Sequence, residues 1–200
     1  MPLPKSVYSV KNPVTYWLDQ YDTTAFDIVE RGGRPDDHKA SYYGVQRQMM
    51  KRLSVDDQKN GYLYIYEVEA NKGFVKIGYT TRSIRKRHEE WVFDCNRKSN
   101  PLYPLPAIKA ALVPNARRVE KLCHAELKHR QAIIYCQGCL KTHEEWFESS
   151  PTDAIAVVEK WSAWMKKEPY HPDQLLLKQE EERKAFDMEK FMDCLLTGDD

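Results

Sequence analysis

Tyr62-Leu63-Tyr64-Ile65-Tyr66-Glu67-Val68 and Phe74-Val75-Lys76-Ile77-Gly78-Tyr79-Thr80, joined across Asn71-Lys72-Gly73, decide the fold. Both runs are aromatic and β-branched, side chains that suit a pleated, half-buried surface. The Asn-Lys-Gly turn between them marks a hairpin. Alternation puts Tyr62, Tyr64 and Tyr66 on one face of the first strand, and Lys76 and Gly78 on one face of the second. Thr81 or Ser83 then caps a helix to about Phe93, with Ile84, His88 and Trp91 on one stripe. The apolar run Ile108–Val113 reads as a third strand. Pro114-Asn115 opens a second helix to about Arg130, with Val119, Leu122 and Leu127 apolar. The expected fold class is α+β: a small three-stranded antiparallel sheet flanked by helices.

The flanks read differently. Residues 1–60 form an N-terminal extension with an aromatic-rich stretch from Tyr16-Trp17 to Phe26 and a break at Gly32–Asp37. A short helix from about Ser41 to Leu53 offers Tyr43, Val45, Met49, Met50 and Leu53 for burial, and Asp56–Gly61 is a polar turn. Beyond the core, Ser150-Pro151-Thr152-Asp153 combines a cap, a proline at the first helical position and an acid in the first turn. That helix runs to about Lys167 and buries Ile155, Val158, Trp161 and Met165. After Pro169 and Pro172, a charged helix is expected from Asp173 to Leu196, with Leu177, Ala185, Met188, Met192 and Leu195 on one face. The division is therefore 1–60, a core at 61–150, and a helical extension at 151–200.

The 200 residues are 42% hydrophobic and 30% charged, enough apolar material for a core and too much for a chain disordered throughout. No run approaches the roughly 18 apolar residues of a membrane span. The start, MPLPKSVYSV, lacks the apolar core of a secretory signal. The expected location is intracellular, and nuclear in a eukaryote. Net charge is only +1, but its distribution is uneven: +1 over residues 1–60, +5 over 61–150 and −5 over 151–200. A basic middle beside an acidic tail is the feature to explain, with a solvated surface as the alternative where Glu89, Glu90 and Asp94 interrupt the basic residues.

Five cysteines, an odd number, point to reduced thiols or a metal rather than disulfides. Cys136-Gln137-Gly138-Cys139 followed by His143 is C-x2-C-x3-H. A knuckle of this length brings two thiolates to one Zn²⁺, and His143 adds a third ligand. Cys95, just past the first helix, is the first choice for the fourth ligand; Cys123 and His124 compete. A closed four-ligand shell is structural, stapling the first helix to the segment after the second. The simpler alternative is two free thiols in a loop.

Leu63-Tyr64, Lys76-Ile77-Gly78-Tyr79-Thr80-Thr81, Arg87, Glu120, His124 and His143-Glu144-Glu145-Trp146-Phe147 together resemble the GIY-YIG nuclease superfamily. They are most similar to its branch related to a phage T-five open-reading-frame DNA-binding domain, abundant in fungi. The resemblance covers about residues 61–150. It implies a general base or water-orienting role for Tyr64, and transition-state stabilisation by Arg87. It implies Glu120 as the carboxylate for one divalent metal, usually Mg²⁺. It favours Cys95 as the fourth zinc ligand, since fungal members carry a cysteine after the corresponding tryptophan-containing helix. Lys76 departs from the tyrosine of the second motif, a lysine this branch generally carries.

The residue types make chemical sense together. Phosphodiester hydrolysis needs an activated water, a metal for the non-bridging oxygens and a cation for developing charge. Tyrosine, near pKa 10, is a poor base unless a cation lowers it, a task open to Lys76 across the hairpin. Glu120 and His124, four apart on a helix, can face one site, with His124 as base or phosphate ligand. Each residue also has an ordinary reading: a packed tyrosine strand, an exposed lysine, a solvated helix face.

Arg82, Arg85, Lys86, Arg117 and Arg118 are the expected DNA contacts, with Arg97, Lys98 and Lys121 nearby; such a set gives salt-dependent, largely sequence-independent binding. The tail helix carries Glu180-Glu181-Glu182 opposite its apolar stripe. It can dock on the core, pair with a second copy to form a homodimer, or shield the basic face. The leading expectation is a metal-dependent DNA endonuclease. A DNA-binding module without useful catalysis and a protein-interaction module on the same scaffold are the alternatives.

Overall fold

A computed structural model of the chain describes residues 21–34, 36–105 and 107–197. Tyr16 and Trp17 lie outside them. The strands are β1 (Asp27–Arg31), β2 (Tyr62–Val68), β3 (Phe74–Thr80), β4 (Ser99–Tyr103), β5 (Gln131–Cys136) and β6 (Lys141–Glu148). The helices are α1 (Tyr42–Met50), α2 (Ile84–Cys95), α3 (Ala116–Glu126), α4 (Pro151–Lys166), α5 (Gln179–Ala185) and α6 (Met188–Thr197).

The β2–β3 hairpin stands inside the sheet, in register Tyr64 to Gly78 and Tyr66 to Lys76. Gly73 closes its turn with φ +89°, in the left-handed region that favours glycine. The expectation of a small three-stranded sheet is corrected, because the strands form one six-stranded antiparallel sheet in the order β1-β5-β6-β3-β2-β4. Two features hid the extra strands. Lys141, His143, Glu144, Glu145 and Glu148 make β6 read as polar, and a register shift opposite Ala132–Ile134 disrupts its alternation. β5 ends at Cys136, so its apolar residues read as the approach to a cysteine loop.

The third strand is also elsewhere. It is Ser99–Tyr103, an edge strand containing Pro101, where a residue lacking an N–H is tolerated. Ile108 and Leu112 of the expected strand are exposed, and Val113 makes only an isolated bridge to Gly61.

The two faces of the sheet are covered unequally. Leu63, Ile65, Val75, Ile77 and Phe147 lie under a thick helical layer with Val45, Met49, Val119, Leu122, Val158, Trp161 and Met165. Trp161 is fully buried and donates its indole N–H to Glu126 Oε2 at 2.6 Å. The opposite face carries Tyr64, Tyr66, Val68, Ala132, Ile134 and Trp146, packed with Trp91 and Cys95 of α2. Burying a large apolar side chain contributes about 1.5–3 kcal/mol, so the helical layer carries most of the hydrophobic stabilisation.

Ser150 caps α4 by accepting the Asp153 N–H at 3.1 Å, with Pro151 in the first turn. The single helix expected over 173–196 is instead α5 and α6. Asp187 interrupts it by accepting the Lys190 N–H at 3.2 Å as a cap. Both pieces dock on the helical layer: Ala185, Met188, Phe191 and Met192 are buried there, and Phe191 packs against Trp161 and Trp164. They therefore lie on the face away from α2 and do not shield its basic side chains. Among the described residues, no helix is long and apolar enough to cross a membrane.

Candidate functional site

β3 and β6 part company at Lys76. Their pairing covers only Phe74–Lys76, so the next β3 backbone groups lack a strand partner on that side. Side chains of α3 take them over. His124 Nε2 lies 3.0 Å from the Ile77 carbonyl oxygen, and the Tyr79 N–H donates to Glu120 Oε1 at 3.1 Å. The notch between the strands is thus lined by the two α3 residues whose spacing placed them on one face.

Lys76 enters this region from β3. It is 2% exposed and its Nζ donates to Glu145 Oε2 at 2.8 Å. The same ammonium stands 6.0 Å from the Trp91 ring centroid. Burial would raise the Glu145 carboxyl, but the charge and hydrogen bond of Lys76 outweigh it and hold Glu145 below its ordinary value. Glu120 goes the other way. Burial, reinforced by the negative charge of Glu145, pushes it up to about 8 against the pull of the Tyr79 N–H, Lys76 and Arg117.

Tyr64 leans over Gly78. A Cβ at position 78 would lie 2.5 Å from the Tyr64 ring and hydroxyl, so the glycine gives the tyrosine its place. Burial pushes its hydroxyl up to about 12 against the opposing pull of the nearby Arg87 guanidinium. The cation beside Tyr64 is therefore Arg87, whereas Lys76 is committed to Glu145. Arg87 also reaches Glu90 at 3.5 Å. His88, next on α2, packs edge-on against both Tyr64 and Tyr66, and burial with the nearby Arg87 charge lowers it to about 4. Burial likewise lowers His124, whose Nε2–H is spent on the Ile77 carbonyl. Tyr64, Arg87, Lys76, Glu120, Glu145 and His124 thus form one electrostatically linked group. Glu145 was missed as a site residue; a lysine inside an apolar strand signals the need for such a counter-charge.

A second cluster adjoins the first through β6. Cys136 ends β5, Cys139 lies in the hairpin turn, His143 is on β6, and Cys95 is the last residue of α2. Their ligand atoms all lie within 4.8 Å of one another. Cys95 Sγ is 3.8 Å from Cys139 Sγ and 3.5 Å from His143 Nε2, and Cys139 Sγ is 3.2 Å from His143 Nε2. A tetrahedral Zn²⁺ shell places sulfurs roughly 3.8 Å apart and sulfur and nitrogen roughly 3.6 Å apart. The donor set and spacing fit a metal such as zinc. Gly138 lets the knuckle sit directly on α2, since a Cβ there would be 2.6 Å from the Cys95 carbonyl oxygen. Asn96, at φ 50°, ends the helix just after its ligand.

The expected DNA contacts separate. Arg82 and Arg85 are exposed on or beside α2, paired with Glu90 and Glu89 at 3.0 Å, and Lys86, next after Arg85, is exposed too. Arg117 pairs with Asp56 at 3.1 Å at the surface. Arg118 does not share it. Fully buried, it donates to the carbonyls of Gln48, Lys51 and Arg52 and to Asp57 at 2.9 Å, tying α3 to the end of α1. The correction for Arg118 is that it is a structural guanidinium. Arg97 is buried in the same manner, held by Asp22 and Thr24. Sequence spacing alone did not separate these from surface cations, because the burying partners come from the N-terminal extension.

These features define a class: an antiparallel-sheet α+β domain with a Cys3His cluster of metal-binding geometry beside a Tyr–Arg–Lys–Glu notch. The chain belongs to the T5orf172 domain family, whose model matches residues 61–162, from the start of β2 into α4. This is a phage-related DNA-binding or nuclease-like domain, and it points to DNA as the partner. No curated protein and no solved structure matches the chain.

Proposed function

We propose that the chain is a GIY-YIG-type, metal-dependent DNA endonuclease with a structural zinc at Cys95, Cys136, Cys139 and His143. The observation that carries this reading is the gathering of Tyr64, Arg87, Lys76 and Glu120 around one notch. In this reading Arg87 offers N–H donors to a phosphoryl oxygen where negative charge grows. Tyr64, held up to about 12, keeps its proton at neutral pH and orients water through its hydroxyl rather than acting as a free base. Glu120 suits a divalent cation such as Mg²⁺: a buried carboxyl facing a second carboxylate is the kind of group a cation relieves. Such a cation would supply Lewis-acid stabilisation of the non-bridging oxygens. Lys76, pinned by Glu145, keeps the notch from carrying two uncompensated carboxylates. Exposed Arg82, Arg85 and Lys86, with half-buried Arg117, are the proposed phosphate contacts.

Nicking of supercoiled plasmid with added Mg²⁺ tests this. Wild type should cut, while Glu120→Ala and Arg87→Ala should each lose about 100-fold or more. The second reading is a binding module without cleavage. It is favoured by the raised Tyr64 hydroxyl and by the commitment of Lys76 to Glu145. DNA bound but left equally intact by wild type and variants establishes that reading instead.

A further inference from the structure

A groove of about 900 Å³ runs between α2 and the segment that follows β4. Its walls are mainly apolar, with Val92 and Phe93 on α2 and Leu105 and Ile108 across from them. Leu105 and Ile108 are 55% and 60% exposed, so the groove presents hydrocarbon to water. Its charged lining residues are Arg82, Arg85 and Lys109 against Glu89 alone, a local charge of +2. The two arginines are held by solvent-exposed pairs with glutamates, which water and salt screen, so a phosphate can take the place of the carboxylates.

The groove abuts the notch. His88 lines it and packs its ring against Tyr64 with centroids 5.1 Å apart. Tyr62 also lines it, two residues before Tyr64 on the same side of β2. A chain whose phosphate met Arg87 would place its neighbouring nucleotide at this mouth.

We propose that the groove receives an unpaired nucleobase next to the phosphate held at Arg87. This rests on the DNA reading above and narrows it to strands with an unstacked base. A paired duplex offers its outside only phosphates, sugars and base edges. The one broad apolar surface a nucleic acid can insert between Phe93 and Ile108 is the face of a base out of the stack. The positive rim then meets the flanking phosphates, which an apolar peptide would leave unpaired.

The test uses the full chain and two fluorescein-labelled duplexes of one sequence, one fully paired and one with a single bulged nucleotide. Anisotropy at low salt should show the bulged duplex bound about tenfold more tightly. Ile108→Glu, an exposed position that leaves the core intact, should abolish most of that preference and alter paired-duplex affinity only modestly. Equal wild-type affinity for both duplexes, or a preference that survives Ile108→Glu, overturns the groove assignment while leaving DNA binding in place. Binding of neither duplex overturns both.

Discussion

The two faces of the sheet solve the same packing problem by different means. On the helical side, α3 and α4 lie on the sheet and α1, α5 and α6 pack against them, so many large apolar side chains are buried. On the other side, α2 covers a small aromatic cluster that also holds buried polar atoms without partners, among them Tyr66 Oη, Trp91 Nε1 and Trp146 Nε1. This face buries fewer large apolar side chains than the helical one, and the unmet polar atoms offset part of that gain. The Cys95–Cys136–Cys139–His143 cluster sits at its end and ties α2 to the β5–β6 hairpin. Most apolar burial is on one face; the Cys3His cluster, Tyr64, Lys76 and Arg87 are on the other, and Glu120 and His124 of α3 reach the notch from the helical side.

The largest expected effect comes from removing the staple. Cys139→Ser, or zinc chelation, should cost about 5 kcal/mol as ligand binding and the docking of α2 are lost together. Amide exchange should rise first in α2 and the β5–β6 turn, with α4 still protected. Uniform loosening of both faces would break the contrast. Next is Arg118→Ala, which leaves the buried Asp57 carboxylate with Lys121 as its remaining charged partner. It should cost about 3–5 kcal/mol in chemical denaturation, with exchange rising around α1 and α3 and no loss of bound zinc. Gly78→Ala sharpens the comparison on the other face. It should cost about 1–3 kcal/mol and change Tyr64 ring signals by NMR, since the new methyl occupies the ring's place.

A smaller effect is pH-dependent. Glu120 rises from 4.5 to about 8 in the folded chain, so the native state holds a proton that the unfolded chain has released. Its contribution is fully present below about pH 4.5 and is lost as pH rises through about 8, so stability should fall across that window. Glu120→Gln, followed by urea denaturation without added divalent cation, should flatten the slope. Smallest of all, Arg85→Ala should change stability by about 0–1 kcal/mol while reducing the salt dependence of DNA affinity.

Much of this was readable from particular residues. The β2–β3 hairpin announced itself through alternating tyrosines and Asn71-Lys72-Gly73, and the α4 start through Ser150-Pro151. The C-x2-C-x3-H spacing and Cys95 named four side chains that the fold brings together. What stayed hidden depended on tertiary partners. β6 looks polar because Glu145 serves Lys76 and His143 joins the cysteines rather than filling an apolar face. Arg118 resembles its half-buried neighbour Arg117 in sequence and differs because Asp57 and the carbonyls at the end of α1 enclose it. The β4 strand contains a proline that only an edge position explains.

Amide hydrogen exchange of the full chain with and without a DNA duplex at low salt tests the division of labour most directly. The prediction is protection in α2, at the end of β3 and across residues 104–110, with α4 and α6 unchanged. Protection confined to α4 and α6, or none on the α2 face despite saturating DNA, would contradict it.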